Sequence, residues 1–211
     1  MSHEVIVSTA LRMMDTHGPD TVTIRSLADS LGVGAMTLYT YFRSKDELYD
    51  AVRDHALALA PPPPAEGSWD DRVRAILMGL HTVLIEHPSL IQLMARRPLA
   101  GHEPAEITEA HLRALRDAGF DPATAARVHV TLLYYLLGSG MWEVQRIADQ
   151  HDPERRRQFR AAVEAMSARD YPTVVAMAPE LAQTASGPGQ FEFGLELIIT
   201  ALRQRLAGDE A

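Results

Sequence analysis

Lys45 is the only lysine in the 211-residue chain, and the other fixed positive side chains are all arginine. It follows Ser44 and precedes Asp46 and Glu47. A serine followed three residues later by glutamate is the sequence form of a helix-capping box. A helix opening after Ser44 presents unpaired backbone N–H groups in its first turn. Those donors, the positive end of the helix dipole and Lys45 would converge on one anion, which is phosphate-binding chemistry. Just upstream stand Ala35, Met36, Thr37, Thr40 and Tyr41. Short hydroxyls and methyl groups of this kind read base edges in a DNA major groove. Thr23, Arg25 and Tyr39 can add phosphate contacts, which fix register rather than sequence.

Such residues need a rigid frame. Helical periodicity dominates the chain and strand signals are nearly absent. The expectation is an all-α protein with an N-terminal three-helix helix-turn-helix DNA-binding domain and a C-terminal helical ligand-binding and dimerisation domain. A first helix spans about 4–17 and ends at Gly18-Pro19-Asp20. Thr23 caps a second helix over 24–31. Gly32 supplies the left-handed residue that stops it. After Val33-Gly34 a third helix covers 35–42, and a fourth runs from Ser44 to about 59. Two helices joined by so short a turn cross steeply and need a small residue where they touch. Ala28 fits that place, with Ile24, Leu27, Leu31, Val33 and Leu38 as the apolar seam.

Pro61 to Pro64 cannot continue a helix and form a stiff linker. The expected organisation is a DNA-binding domain over 1–60, a Pro-rich linker over 61–67 and a second domain over 68–211. Further helices are expected near 68–87, 89–96, 105–118, 122–148, 154–167, 171–184 and 190–206, separated by prolines.

Composition sets limits. The chain has no cysteine, so it has neither disulfides nor thiolate metal sites. Met1-Ser2-His3-Glu4 lacks the basic start of a signal peptide, and no apolar run reaches membrane-span length, so a cytoplasmic protein without membrane contact is expected. The net charge is −8. Residues 1–60 hold five Lys/Arg against eight Asp/Glu, a balance of −3. Basic charge is the usual footprint of DNA binding. The acidic balance therefore leaves a second reading open: an all-α small-molecule-binding or interaction protein without operator binding. Neither His-Glu-x-x-His nor Gly-x-Ser-x-Gly occurs. Gly138-Ser139-Gly140 lies inside an apolar helical run, and Gly32-Val33-Gly34 is too short for a dinucleotide site. No catalysis, cofactor or metal is expected.

The string Thr37-Leu38-Tyr39-Thr40-Tyr41-Phe42-Arg43-Ser44-Lys45-Asp46-Glu47-Leu48 closely resembles the consensus of the tetracycline-repressor (TetR) family, in which TLY-x-YF leads into SK-x-EL. The spacing to Gly18 and Thr23 matches as well. Gly67-Ser68-Trp69 and the run 191–199 resemble the C-terminal domain of the tetracycline repressors themselves, so the likeness covers nearly the whole chain. It implies a ligand-responsive transcriptional regulator: a homodimeric repressor that binds palindromic double-stranded DNA and is released by a small-molecule effector. It also implies operator contacts from Arg25, Ala35, Met36, Thr37, Tyr39, Thr40, Tyr41 and Lys45. Ala35, Met36 and Thr40 replace larger side chains of the tetracycline repressor, so a different operator is expected.

By the same resemblance, the last helix and the helix near 122–148 pair with their copies in a four-helix dimer interface. Phe191, Leu195, Ile198, Ile199, Leu202 and Leu206 form an apolar stripe suited to that role. Tetracycline repressors hold a magnesium–drug chelate partly through a histidine in the sixth helix. Here that place reads Ile91-Gln92-Leu93-Met94, which argues against such a chelate. A largely apolar effector is expected among Met78, His81, Thr82, Met94, His111, Leu112, Tyr134, Tyr135, Gly138, Met141 and Trp142.

Overall fold

The computed structural model describes residues 1–96, 102–150, 154, 157–158, 161–162, 165–186 and 189–209, and these contain helices and no strand. The expected helix over 154–167 is described in part: residues 154, 157–158 and 161–162 are helical, and 165–167 are not.

The N-terminal helices are α1 (His3–His17), α2 (Ile24–Leu31), α3 (Ala35–Tyr39) and α4 (Lys45–Leu57), with a 3₁₀ turn at Pro19–Thr21. Thr23 and Ser26 cap α2 reciprocally: Thr23 Oγ1 accepts from Ser26 N at 3.0 Å, and Ser26 Oγ accepts from Thr23 N at 2.9 Å. Gly32 then adopts the left-handed conformation (φ 68°) that ends the helix. Ile24, Leu27, Ala28 and Leu38 are buried at the crossing of α2 and α3, with Leu31 and Val33 half-buried against them. The third helix is shorter than its sequence suggested. It stops at Tyr39, and Thr40 Oγ1 turns back to donate to Thr37 O at 2.7 Å.

The remaining helices are α5 (Trp69–Glu86), α6 (Ser89–Arg96), α7 (His102–Asp117), α8 (Pro122–Gln150), α9 (Pro172–Ala176), α10 (Ala178–Ser186) and α11 (Gln190–Asp209). Two boundaries differ from expectation, both because of proline. Pro104 was expected to precede a helix, yet α7 begins at His102. In the first turn a missing N–H costs nothing. The single helix expected over 171–184 is two helices meeting at Met177. Pro179 removes one backbone donor and its ring would collide with the carbonyl one turn earlier.

A continuous apolar core joins the two parts of the chain. It runs from Ile6, Leu27 and Leu48 through Leu77, Leu90 and Leu115 to Leu136 and Leu195. The Pro-rich segment lies against α5, with the Pro61 ring covering Gly79. No single helix among the described residues is long and apolar enough to cross a membrane.

Candidate DNA-binding surface and ligand cavity

Leu38 is the one residue of α3 that is fully buried, and it anchors the helix. Met36 is 76% exposed and Tyr39 50% exposed. Thr37 and Thr40 are exposed and Ala35 is half-buried. An outward face of methyl and hydroxyl groups therefore stands on a helix fixed from beneath. Thr23 and Arg25 are exposed at the start of α2. Tyr41 is half-buried, and its hydroxyl donates to Met1 O at 2.8 Å, which ties the chain start to this surface.

The cap of α4 forms with one shift from the expected pattern. Ser44 Oγ accepts from Glu47 N at 3.1 Å, but the Glu47 carboxylate accepts from Arg43 N at 2.6 Å, one residue before the cap. Lys45 sits at the first helical position, as the sequence required. Its Nζ donates to Asp20 O at 3.2 Å and lies 5.1 Å from the Tyr49 ring centre. The Tyr49 hydroxyl donates to Pro19 O at 2.5 Å. The lysine is thus held by a backbone carbonyl and an aromatic face, with the Asp20 carboxylate, itself paired with Arg96, close enough to feel its charge.

A cavity of about 40 Å³ lies between α4, α5, α6, α7 and α8. Helix α7 contributes Pro104, Ile107, Thr108 and His111, and α8 contributes His129, Leu133 and Leu136. Leu77 and Leu80 come from α5, Met94 from α6 and Leu57 from the end of α4. Two of the eleven expected effector residues, Met94 and His111, line it. The other nine lining residues were not among those expected. Positions 104, 107, 108 and 111 form one helical face, as do 129, 133 and 136.

His111 is 3% exposed, and its Nδ1 lies 3.0 Å from Nδ1 of His129. Its Nε2 is buried without a hydrogen-bond partner among the described residues. Burial and then the neighbouring imidazole push the His111 pKa down to about 3, and burial lowers that of His129. Both rings are neutral near pH 7.

The other expected effector residues lie elsewhere. His81 stacks on Phe191 (centroids 4.0 Å apart, planes at 1°), and Phe191 stacks on Tyr135 (5.4 Å, 13°). This column joins α5, α11 and α8. His81 Nε2 lies 3.1 Å from Glu143 Oε2, but burial outweighs that carboxylate and lowers the His81 pKa. The Tyr135 hydroxyl donates to Phe191 O at 2.9 Å. Tyr134, Met141 and Trp142 are exposed on α8. Thr82 is exposed, and Met78, Leu112 and Gly138 are half-buried outside the cavity wall.

The expected dimerisation stripe lies against the chain's own body. Phe191, Leu195 and Ile199 are buried in the chain's own core, and Ile198, Leu202 and Leu206 pack half-buried against it. A terminal helix with apolar residues on two faces can bury only one of them against its own body. The face left open carries Phe193 and Leu197, 60% and 58% exposed. Around this helix, Arg74 pairs with Glu196 (2.5 Å), and Arg203 Nε donates to Asp70 Oδ2 at 2.8 Å.

Comparison with known proteins decides the family. Residues 6–52 match the family of bacterial regulatory proteins described as tetR, and residues 61–206 match the tetracyclin repressor-like C-terminal domain. The chain belongs to the TetR family of transcriptional regulators. It is 28% identical over 209 residues to an HTH-type transcriptional regulator of Saccharopolyspora erythraea, covering 96% of this chain and 84% of that one. It is 28% identical over 211 residues to the class C tetracycline repressor of Escherichia coli, covering 97% and 91%. Among solved structures it is similar to the TetR-family protein ActR of Streptomyces coelicolor in complex with actinorhodin. The TM-score is 0.84 at 26% identity, over 98% of each chain. The match over residues 6–52 takes in α2, α3 and the start of α4, and the match over 61–206 takes in the cavity wall except Leu57.

Proposed function

We propose that this chain is a homodimeric, cytoplasmic repressor without catalytic activity, which binds a palindromic operator and is released when a small molecule enters the cavity behind α6. Residues 1–60 form the DNA-binding domain, 61–67 the linker and 68–211 the effector-binding and dimerisation domain. Exposure of Met36, Thr37, Tyr39 and Thr40 on a helix anchored by buried Leu38 carries this reading. Met36, Thr37 and Thr40, with Ala35 and Tyr41 beside them, are free to meet base edges, while Thr23, Arg25, Tyr39 and Lys45 hold the backbone. Two copies would place their α3 helices about 34–36 Å apart, one turn of DNA.

Dimerisation falls to the open faces of α8 and α11, with Tyr134, Met141, Trp142, Phe193 and Leu197. Exposed apolar groups concentrated on two neighbouring helices mark a contact surface.

The link from cavity to DNA runs through α6. Met94 lines the cavity, while Arg96 at the end of the same helix pairs with Asp20 at 2.6 Å and lies over the Tyr49 ring. Enlarging the cavity displaces α6 and Leu57 of α4, and with them the DNA-binding surface. DNA and effector then oppose each other through one coupling free energy, about 1–3 kcal/mol in typical cases.

Fluorescence anisotropy with the DNA upstream of the chain's own gene tests the reading. Specific binding that weakens as salt rises is expected. Equal binding to random duplex, or none at low salt, overturns it and favours a ligand-binding module without an operator.

A further inference from the structure

We infer that Arg96, at the end of α6, is a further ligand for DNA phosphate, and that the Asp20 carboxylate occupies it until a duplex arrives. The inference rests on the start of α4 being a phosphate site, and it adds a cation to that site from outside the helix-turn-helix.

Two cations meet at one place. Lys45 Nζ donates to Asp20 O at 3.2 Å and lies 5.1 Å from the Tyr49 ring centre. Arg96 Nη2 donates to Asp20 Oδ1 at 2.6 Å, and its guanidinium carbon lies 5.4 Å from the same ring centre. The ring is a fixed platform, because Tyr49 is buried and its hydroxyl donates to Pro19 O at 2.5 Å. Arg96 first, and Lys45 after it, hold the Asp20 carboxyl below the ordinary carboxylate range. A carboxylate gripped by an arginine and a lysine has the partners that a phosphate oxygen takes.

The grip is loose. The Asp20 side chain is 74% exposed and that of Arg96 is 42% exposed. Exposed ion pairs add little stability, because water and salt screen them. A DNA phosphate has the advantage in the exchange, since each contact also releases counter-ions condensed on the duplex. A guanidinium matches phosphate through paired, planar hydrogen bonds. The DNA-binding half is short of cations: residues 1–60 hold five Lys/Arg against eight Asp/Glu, and one of the five, Arg53, is buried and paired with Asp50 and Asp54. Helix α6 also carries Met94 on the cavity wall, so a shift of this helix withdraws Arg96 from the duplex.

Anisotropy titrations of the full-length chain against a random-sequence duplex, over a range of salt concentrations, test this. Asp20→Asn should tighten binding about two- to fivefold, the scale of one exposed ion pair. Losing a negative charge does part of that unaided, so the deciding comparison is made within the Asp20→Asn chain. There, adding Arg96→Gln should reduce the slope of log K against log salt by about 1 per subunit, as loss of one phosphate contact does. Adding Arg96→Lys instead, which retains the charge, should keep the slope. Binding no tighter in Asp20→Asn overturns the inference, and so does an equal slope in Asp20→Asn with and without Arg96→Gln. If Lys45→Ala still lowers the slope in that case, the phosphate site at α4 stands without Arg96. If Lys45→Ala leaves it unaltered too, that site falls as well.

Discussion

Asp15, near the end of α1, caps α6 from a distant part of the chain: its Oδ1 accepts from Ser89 N at 3.2 Å and from Ser89 Oγ at 2.6 Å. The other oxygen, Oδ2, lies 2.8 Å from Nδ1 of His87. A carboxylate at a helix N-terminus satisfies free N–H groups and complements the dipole. With Arg96 bound to Asp20 at the far end, both ends of α6 are tied to the DNA-binding helices. Asp15→Ala should therefore lower stability by about 1 kcal/mol, the usual cost of a lost cap. Amide exchange should quicken in α6 but not in α8. Denaturant titration with hydrogen exchange reads both, and unchanged α6 protection would show that the cap does not hold the helix.

Lys45→Ala should weaken binding to every duplex about tenfold and reduce the slope of log K against log salt by about 1. Thr37→Val should alter sequence preference and leave that slope unchanged, because Thr37 is proposed to meet bases rather than phosphate. Anisotropy titrations at several salt concentrations separate the two. A salt slope unaltered in Lys45→Ala would place the lysine away from phosphate.

The DNA-binding half was legible because its rules are local. Thr23, Gly32, Ser44 and Glu47 act within a few residues of themselves, and their spacing predicts the turns they make. The effector half was less legible because its partners lie far apart in sequence. Nothing near His111 announces His129, eighteen positions away on another helix. His81, Tyr135 and Phe191 lie far apart in sequence, and only the fold stacks them in one column. Leu195 and Leu197 have similar character, and only three-dimensional packing decides that one is buried and the other exposed.

Acid should destabilise the protein before its carboxylates titrate. Burial and then His129 depress the His111 pKa to about 3, from an ordinary value near 6.5. The unfolded chain binds the proton first, so the stability due to the neutral ring is complete above pH 6.5 and lost progressively as pH falls toward 3. His129 faces His111 from α8, and its own lowered pKa acts in the same direction; among the described residues no other ionisable group lines the cavity. Tm should fall between pH 7 and pH 5, and His111→Gln should flatten part of that decline. A Tm that is level over this range in the wild type would refute the buried neutral pair.

Leu197→Asp should convert the dimer to a folded monomer, because Leu197 is exposed on the outer face of α11. Leu195→Asp should instead unfold the chain, since that side chain is fully buried. Light scattering with circular dichroism tells these outcomes apart. A dimer persisting in Leu197→Asp would move the interface off this face.

Gly194 offers a test in which two physical effects have opposite sign. In a helix interior, alanine ordinarily gains about 1 kcal/mol over glycine. A Cβ at Gly194, however, would overlap the Tyr135 hydroxyl and the ring carbon that bears it. That hydroxyl donates to Phe191 O at 2.9 Å, and its ring is stacked on Phe191, so Tyr135 cannot withdraw without giving up both contacts. Overpacking of this kind costs about 1–3 kcal/mol. Gly194→Ala should therefore destabilise the protein by up to about 2 kcal/mol net. Tyr135→Leu, which removes the clashing atoms, should turn the same glycine substitution neutral or stabilising. Denaturant unfolding of the four chains closes the cycle. A Gly194→Ala chain more stable than the wild type would mean that Tyr135 has somewhere else to go.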